Sequence, residues 1–174
     1  GLDNFNTNLL AERADIRIAT VYRYFPNKLA ILSALFSGWF EHFIEKTSFI
    51  SDLSDPSNDW RVTIESFIDC YVAIVSAQKG HLAIRRAVLA APELTQVEAK
   101  LTRKLSGIFV EVLEARGLPY TTQQMQTFTE VFMVTSGQAL DFALIKSRKR
   151  QECLKEIVAE TKLLQLSYLA NYLD

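Results

Sequence analysis

Three observations on the sequence predict an all-α protein. Only six glycines and four prolines punctuate 174 residues, and they fall between long stretches where apolar residues recur at helical spacing. Nowhere does strict two-residue alternation coincide with turn dipeptides, so no strand is predicted. Hydrophobic residues make up 49% of the chain and mean hydropathy is +0.07. That is more apolar surface than a fully solvated monomer needs, and it points to a buried self-interface as well as a core.

The elements follow in order. Asn6 or Thr7 caps a short helix to about Ala14, with Leu9, Leu10 and Ala14 on one side. Asp15 and Ile16 break it, and a second short helix covers Arg17 to Tyr24. Pro26 and Asn27 end that one, because the residue before a proline is pushed out of the helical region. A long helix runs from Lys28 to Thr47, with Ile31, Leu32, Leu35, Trp39, Phe43 and Ile44 as its apolar stripe. Ser51 to Asn58 reads as a loop. Asp59 caps a helix with the stripe Ile64, Phe67, Ile68, Tyr71, Ile74 and Val75, which Gly80 stops. A short helix spans His81 to Ala90, and another begins at Pro92 and Glu93 and lasts to Arg116, closed by Gly117 and Pro119. Thr121 or Thr122 caps a helix to about Lys149, and Gln151 to Leu173 form the last.

Those final two helices are apolar on more than one side. Met125, Phe128, Phe132, Thr135 and Ala139 mark one stripe of the first, while Val131, Val134 and Ile145 lie elsewhere. In the second, Leu154, Ile157, Val158 and Leu164 share a side that Leu163, Leu166, Leu169 and Leu173 widen. A helix apolar on two sides must bury both, one against its own core and one against a partner. The small residues Ser136, Gly137, Ala139 and Ala143 would allow a close helix approach there.

Several function classes are disfavoured. The formal net charge is -1, so any nucleic-acid contact must rest on a local basic patch. Cys70 and Cys153 are far apart, with no CxxC and no clustered histidine, so they read as reduced packing residues and no metal site is predicted. No glycine-rich phosphate loop, nucleophile elbow or paired histidine and carboxylate is present, and His42 and His81 have no evident partner. An enzyme is therefore not expected, and no cofactor is implied. No apolar run reaches the roughly 18 residues of a membrane span and no signal peptide is visible, so a cytoplasmic protein with no membrane contact is expected.

The informative stretch runs from Ala11 to Lys28. Two short helices joined by a tight turn form the helix-turn-helix unit, whose second helix lies in the major groove. Leu10, Ala14, Ile16, Val21 and Phe25 have the spacing to lock the pair together. Thr20, Tyr22, Arg23, Tyr24 and Lys28 remain as hydroxyls and cations suited to phosphate oxygens. On pattern alone, a helical hairpin with a solvated polar face fits as well.

The same residues resemble the DNA-binding head of the tetracycline-repressor (TetR) family. Thr7, Ala11, Ala14, Thr20, Val21, Tyr22, Tyr24, Phe25, Asn27 and Lys28 stand in the places of that family's signature. The body is similar in helix count and lengths. Asp15 replaces the usual turn glycine and tolerates left-handed backbone better than most residues. Arg17 replaces the usual serine, losing a cap but adding a side chain able to grip guanine. The family also places a helix ahead of Gly1 to Asp3, which is expected to be missing here through clipping.

The resemblance implies a homeodomain-like head with its connecting helix over residues 1–46, and a helical ligand-binding and dimerisation bundle over 47–174. It implies phosphate contacts from Thr7, Thr20, Tyr22, Tyr24 and Lys28, and base contacts from Asn8, Arg17, Ile18 and Ala19. The partners expected are a double-stranded DNA operator, a second copy of the chain joined through the last two helices, and an unknown small-molecule effector. Phe67, Cys70, Tyr71, Phe109, Phe128 and Phe132 are the candidates for the effector pocket, although such residues at helical spacing also build ordinary cores. Arg85 and Arg86 could face an anionic effector but read more simply as solvated, His81 reads as a helix-start residue, and Lys146 to Arg150 as a solvated helix end. The function implied is a transcriptional regulator, a repressor released from a palindromic operator by its effector. The alternative is a helical ligand-binding or protein-interaction module without DNA-binding activity.

Overall fold

A computed structural model describes residues 6–78, 80–147 and 152–174, and among these every regular element is helical. The α-helices are α1 (Thr7–Arg13), α2 (Ile18–Tyr24), α3 (Lys28–Lys46), α4 (Trp60–Ala77), α5 (His81–Ala90), α6 (Thr95–Ala115), α7 (Thr122–Ser147) and α8 (Glu152–Leu173). Two 3-10 segments, Ser48–Ser54 and Pro92–Leu94, precede α4 and α6.

Local chemistry sets the ends. The Asn6 carboxamide accepts from the Asn8 N–H at 2.8 Å, Asn27 from Ala30 at 2.9 Å, and Asp59 from Arg61 at 2.9 Å. Thr121 and Gln124 cap α7 reciprocally: the Gln124 N–H donates to the Thr121 hydroxyl, and the Thr121 N–H to Gln124 Oε1. Gly80, with φ at 92°, lies beyond the end of α4 and starts α5, so it acts at a helix entry where a stop was expected. The predicted loop is wound in its first half, because Ile50 and Leu53 are buried and pull it onto α4 and α6. Arg116 fastens it by donating to the Leu53 and Asp55 carbonyls, each at 3.0 Å.

Two cores result. Ala11, Val21 and Ile31 form the small one in the head, with Leu10, Ile18 and Phe25 packed against it. Leu32, Phe36, Trp39, Phe40 and Phe43 enter the large body core with residues from α4 to α8. One continuous helix, α3, therefore serves both. Its stripe is not quite the predicted one: Phe36 and Phe40 are buried, whereas Leu35 is exposed.

In the body, α7 packs against both α6 and α8. Ser136 and Ala143 are buried within the protomer, and a Cβ on Gly137 would lie 3.2 Å from Arg85 Nη2. Ser136, Gly137 and Ala143 thus make room for this chain's own side chains, while Ala139 is half-buried. The outer faces keep large apolar residues in solvent: Val131, Val134 and Phe142 on α7, Leu163 and Leu164 on α8. Cys70 and Cys153 are free thiols, each half-buried. Of the predicted basic run, Lys146 sits over the Phe142 ring at 5.2 Å, while Arg148 to Arg150 lie outside the described residues. Among the described residues no helix is long and apolar enough to cross a membrane.

Candidate DNA-reading head and ligand cavity

The head is a helix-turn-helix. The α1 carbonyls close the turn, with the Asp15 N–H donating to Glu12 at 3.1 Å and the Ile16 N–H to Ala11 at 3.0 Å. Asp15 takes φ = 52°, the left-handed backbone its place in the turn demands. Arg17 occupies the N-cap of α2 without a side-chain capping bond, which leaves its guanidinium exposed. Asn8, Ala19, Tyr22, Tyr24 and Lys28 are exposed as well, and Thr20 is half-buried.

Two predicted contact residues sit deeper. Thr7 is buried, its hydroxyl 3.1 Å from that of Tyr22, so it reaches the surface only through that phenol. Ile18 is half-buried against the head core. It occupies the packing place predicted for Ile16, which is 45% exposed, and Ala14 is exposed too. Arg23, one of the polar residues of α2, pairs with its neighbour. Its guanidinium lies 5.0 Å from the Tyr24 ring centre and donates to the Tyr24 hydroxyl at 2.8 Å. A cation and a phenol are thereby presented together.

The body holds a cavity walled by α3, α4, α5, α6 and α7. Small, at about 50 Å³, it lies among Trp39, Phe40, Phe43, Phe67, Tyr71, Arg85, Thr102, Leu105, Met133, Ser136, Gly137 and Leu140. Of the six predicted pocket residues, Phe67 and Tyr71 line it. Phe109 and Phe132 stand behind Phe67, with ring centroids 5.2 and 5.9 Å from it. Phe128 is remote, stacked on Tyr172 at 4.3 Å. Cys70 lies outside the lining, with burial pushing its thiol up from the ordinary range.

The polar groups were the harder part to foresee. Arg85, at the cavity wall, is buried, not solvated, and its Nε donates to Asp141 Oδ2; Arg86 is the exposed neighbour. The Tyr71 hydroxyl donates to the other Asp141 oxygen at 2.7 Å, and Glu98 lies 3.7 Å from Arg85 Nη2. Burial, seconded by Asp141, pushes the Tyr71 phenol far up, so it keeps its proton and remains a donor. His81 is buried against Trp39, ring centroids 4.1 Å apart, and burial lowers its pKa to about 4. Trp39 Nε1, His81 Nε2 and Ser136 Oγ are all buried with no hydrogen-bond partner among the described residues. Each such atom is costly to leave unpaired. No group of three or more histidine, cysteine or acidic side chains suited to a metal occurs among the described residues.

A helix-turn-helix head rigidly continued by α3 into a hollow helical body defines a class of one-chain regulators. Residues 1–35 match the family described as bacterial regulatory proteins of the tetR family. Residues 58–173 match the tetracyclin repressor-like C-terminal domain. The chain belongs to the tetR family of bacterial regulatory proteins, a family of DNA-binding transcriptional regulators. In fold it is similar to the crystal structure of a TetR-family transcriptional regulator from Streptomyces coelicolor, with a TM-score of 0.73. Identity there is 22%, over 98% of this chain and 88% of that one. No curated protein is similar enough to count as a match.

Proposed function

We propose that this chain is a cytoplasmic repressor, a homodimer through α7 and α8, released from a palindromic operator when a small molecule enters the body cavity. One observation carries the proposal. The helix that begins beside the reading helix at Lys28 supplies Trp39, Phe40 and Phe43 to the cavity wall ten residues and more further on. A ligand that displaces those rings moves the helix that carries the head.

Phosphate contacts are assigned to Thr20, Tyr22, Tyr24 and Lys28, with Thr7 acting through Tyr22 and Arg23 joining Tyr24. Lys28 gains from its place at the start of a 19-residue helix, where the backbone dipole favours phosphate. Base contacts are assigned to Asn8, Arg17 and Ala19, with the exposed part of Ile18. Exposure of Val131, Val134, Phe142, Leu163 and Leu164 on two packed helices supports the dimer, since apolar residues gathered on one face are the kind of surface that association covers. Two heads related by a two-fold axis read half-sites about 34–36 Å apart, or a multiple of that spacing.

The test is selection of binders from a random duplex DNA pool by the full-length protein. An enriched inverted repeat is expected. A folded dimer that enriches nothing at low salt would favour the ligand-binding module without DNA-binding activity.

A further inference from the structure

Arg85 is held in one geometry. Its Nε donates to Asp141 Oδ2, the Tyr71 hydroxyl donates to Asp141 Oδ1 at 2.7 Å, and the half-buried Glu98 lies 3.7 Å from Arg85 Nη2. Nη2 is also 3.2 Å from the place a Cβ on Gly137 would take, so the guanidinium runs along α7 from Gly137 to Asp141, one turn apart. Both Arg85 and Asp141 are more than nine-tenths buried. The cluster thus joins side chains of α4, α5, α6 and α7.

Such a pair is poor material for stability alone. Desolvation offsets most of its Coulombic gain, and apolar side chains of similar size would hold the helices about as well. What the pair adds is direction, since it is satisfied only where the guanidinium fork and the carboxylate meet. α5 has need of that. Of its ten residues, Ala87 and Val88 are the buried apolar ones, and the other buried two are His81 and Arg85. A short helix with so little apolar anchorage shifts on its neighbours at small cost.

The contacts of α5 give its placement a consequence. α3 packs on α5 more extensively than on any other helix of the body, and His81 meets Trp39 with ring centroids 4.1 Å apart. At its other end α3 carries the head, whereas α7 is a helix of the proposed dimer. We infer that Arg85 and Asp141 are positioning residues for DNA reading: their pair locks α5 to α7, and α5 in turn holds α3 at the angle that sets the spacing of the two heads. This rests on the dimeric regulator proposed above.

The test compares full-length wild type with Arg85→Met combined with Asp141→Leu, which removes the lock and leaves the half-buried Glu98 as the one unpaired charge. Each is titrated with the selected operator, with operators whose half-sites are one base pair closer or further apart, and with random duplex at the same salt. One base pair moves a half-site by about 3.4 Å and turns it by roughly 34–36°. Wild type should lose on the order of tenfold on either altered operator. The double variant should bind the selected operator about tenfold more weakly, as for heads that hold the competent spacing about a tenth of the time, and lose less than about threefold on the altered ones. Random duplex, gripped through phosphates, should bind both proteins alike. Arg85→Lys keeps the charge without the fork and should fall between the two, which decides the matter if the double variant does not fold. Hydrogen exchange supplies a readout without DNA: α5 and the part of α3 around Trp39 should exchange faster in the variants, with α6 and α8 unchanged. A folded variant with wild-type spacing preference, unaltered exchange in α5, or faster exchange throughout would reduce the pair to a structural role and overturn the inference. A wild type that selects no inverted repeat would sink the regulator reading itself, with exchange in α5 still deciding the lock.

Discussion

His81 and the Arg85 cluster decide what the body tolerates. Burial lowers the His81 pKa from 6.5 to about 4, with Asp141 opposing the shift and Arg85 adding to it. Between those values the unfolded chain binds a proton that the folded one refuses. Stability is therefore whole above pH 6.5 and falls as pH drops towards 4, at about 1.4 kcal/mol per unit and by on the order of 3 kcal/mol in all. Urea unfolding of wild type and His81→Gln at several pH values checks this; the difference between them should shrink on acidification, and a constant difference would refute it. Arg85 and Asp141 make a second prediction. Asp141→Ala leaves the buried guanidinium only its longer contact with Glu98 and should cost up to about 3–5 kcal/mol. Arg85→Met combined with Asp141→Leu leaves only the more exposed Glu98 unpaired and should recover most of that loss in the same measurement. A double variant as unstable as the sum of its single changes would show that the pair acts independently. Neither role was legible locally, because Arg85 meets Asp141 across 56 positions and Tyr71 meets it across 70. Helical period marks a residue as inside or outside, and says nothing of a partner three helices away.

Helix-scale features were much easier to read. Asn6, Asp59 and Thr121 are good caps in the sequence, and each stands at a helix start; Asn27, legible as the end of α2, also caps α3. Period is a weaker guide in short helices. In the seven-residue α2, Ile18 took the packing place foreseen for Ile16, because the left-handed Asp15 resets the phase between α1 and α2. In α3 the stripe includes Phe36 and Phe40 and omits Leu35, since the helix is covered by α5 and α6 as well as α4. The small residues of α7 were legible as a close approach but not as an approach by Arg85. Predictions about α2 and α3 belong at this scale. Lys28→Ala should weaken binding to every DNA sequence and lower the slope of log affinity against log salt by about 0.9. Arg17→Ala should instead relax preference at one base position, at a cost of about 1–3 kcal/mol there. Binding isotherms at several salt concentrations, on the selected operator and its single-base variants, separate these outcomes. Equal losses at every base position for Arg17→Ala would contradict its assignment to a base edge.

Across the whole molecule, two cores are joined by one helix, and α7 and α8 keep apolar residues on the outer face proposed above to take a second copy. Leu164→Glu changes a residue that is 58% exposed in the protomer, so the fold should survive while the dimer is lost. Sedimentation should show a monomer with unaltered helix content; a dimer unaffected by this change and by Val134→Glu would place the interface elsewhere. Loss of the dimer should also remove high-affinity operator binding, because each head alone makes only half the contacts. Coupling between cavity and head is a free energy, and it must be the same read from either end. The most direct measurement is a pair of titrations of the full-length protein: operator duplex with and without a saturating small molecule found to bind the body, and that molecule with and without saturating operator. The account predicts that each weakens the other by the same factor, about five- to 150-fold if the coupling has the usual size. Operator affinity unchanged by a ligand seated in the cavity would contradict it.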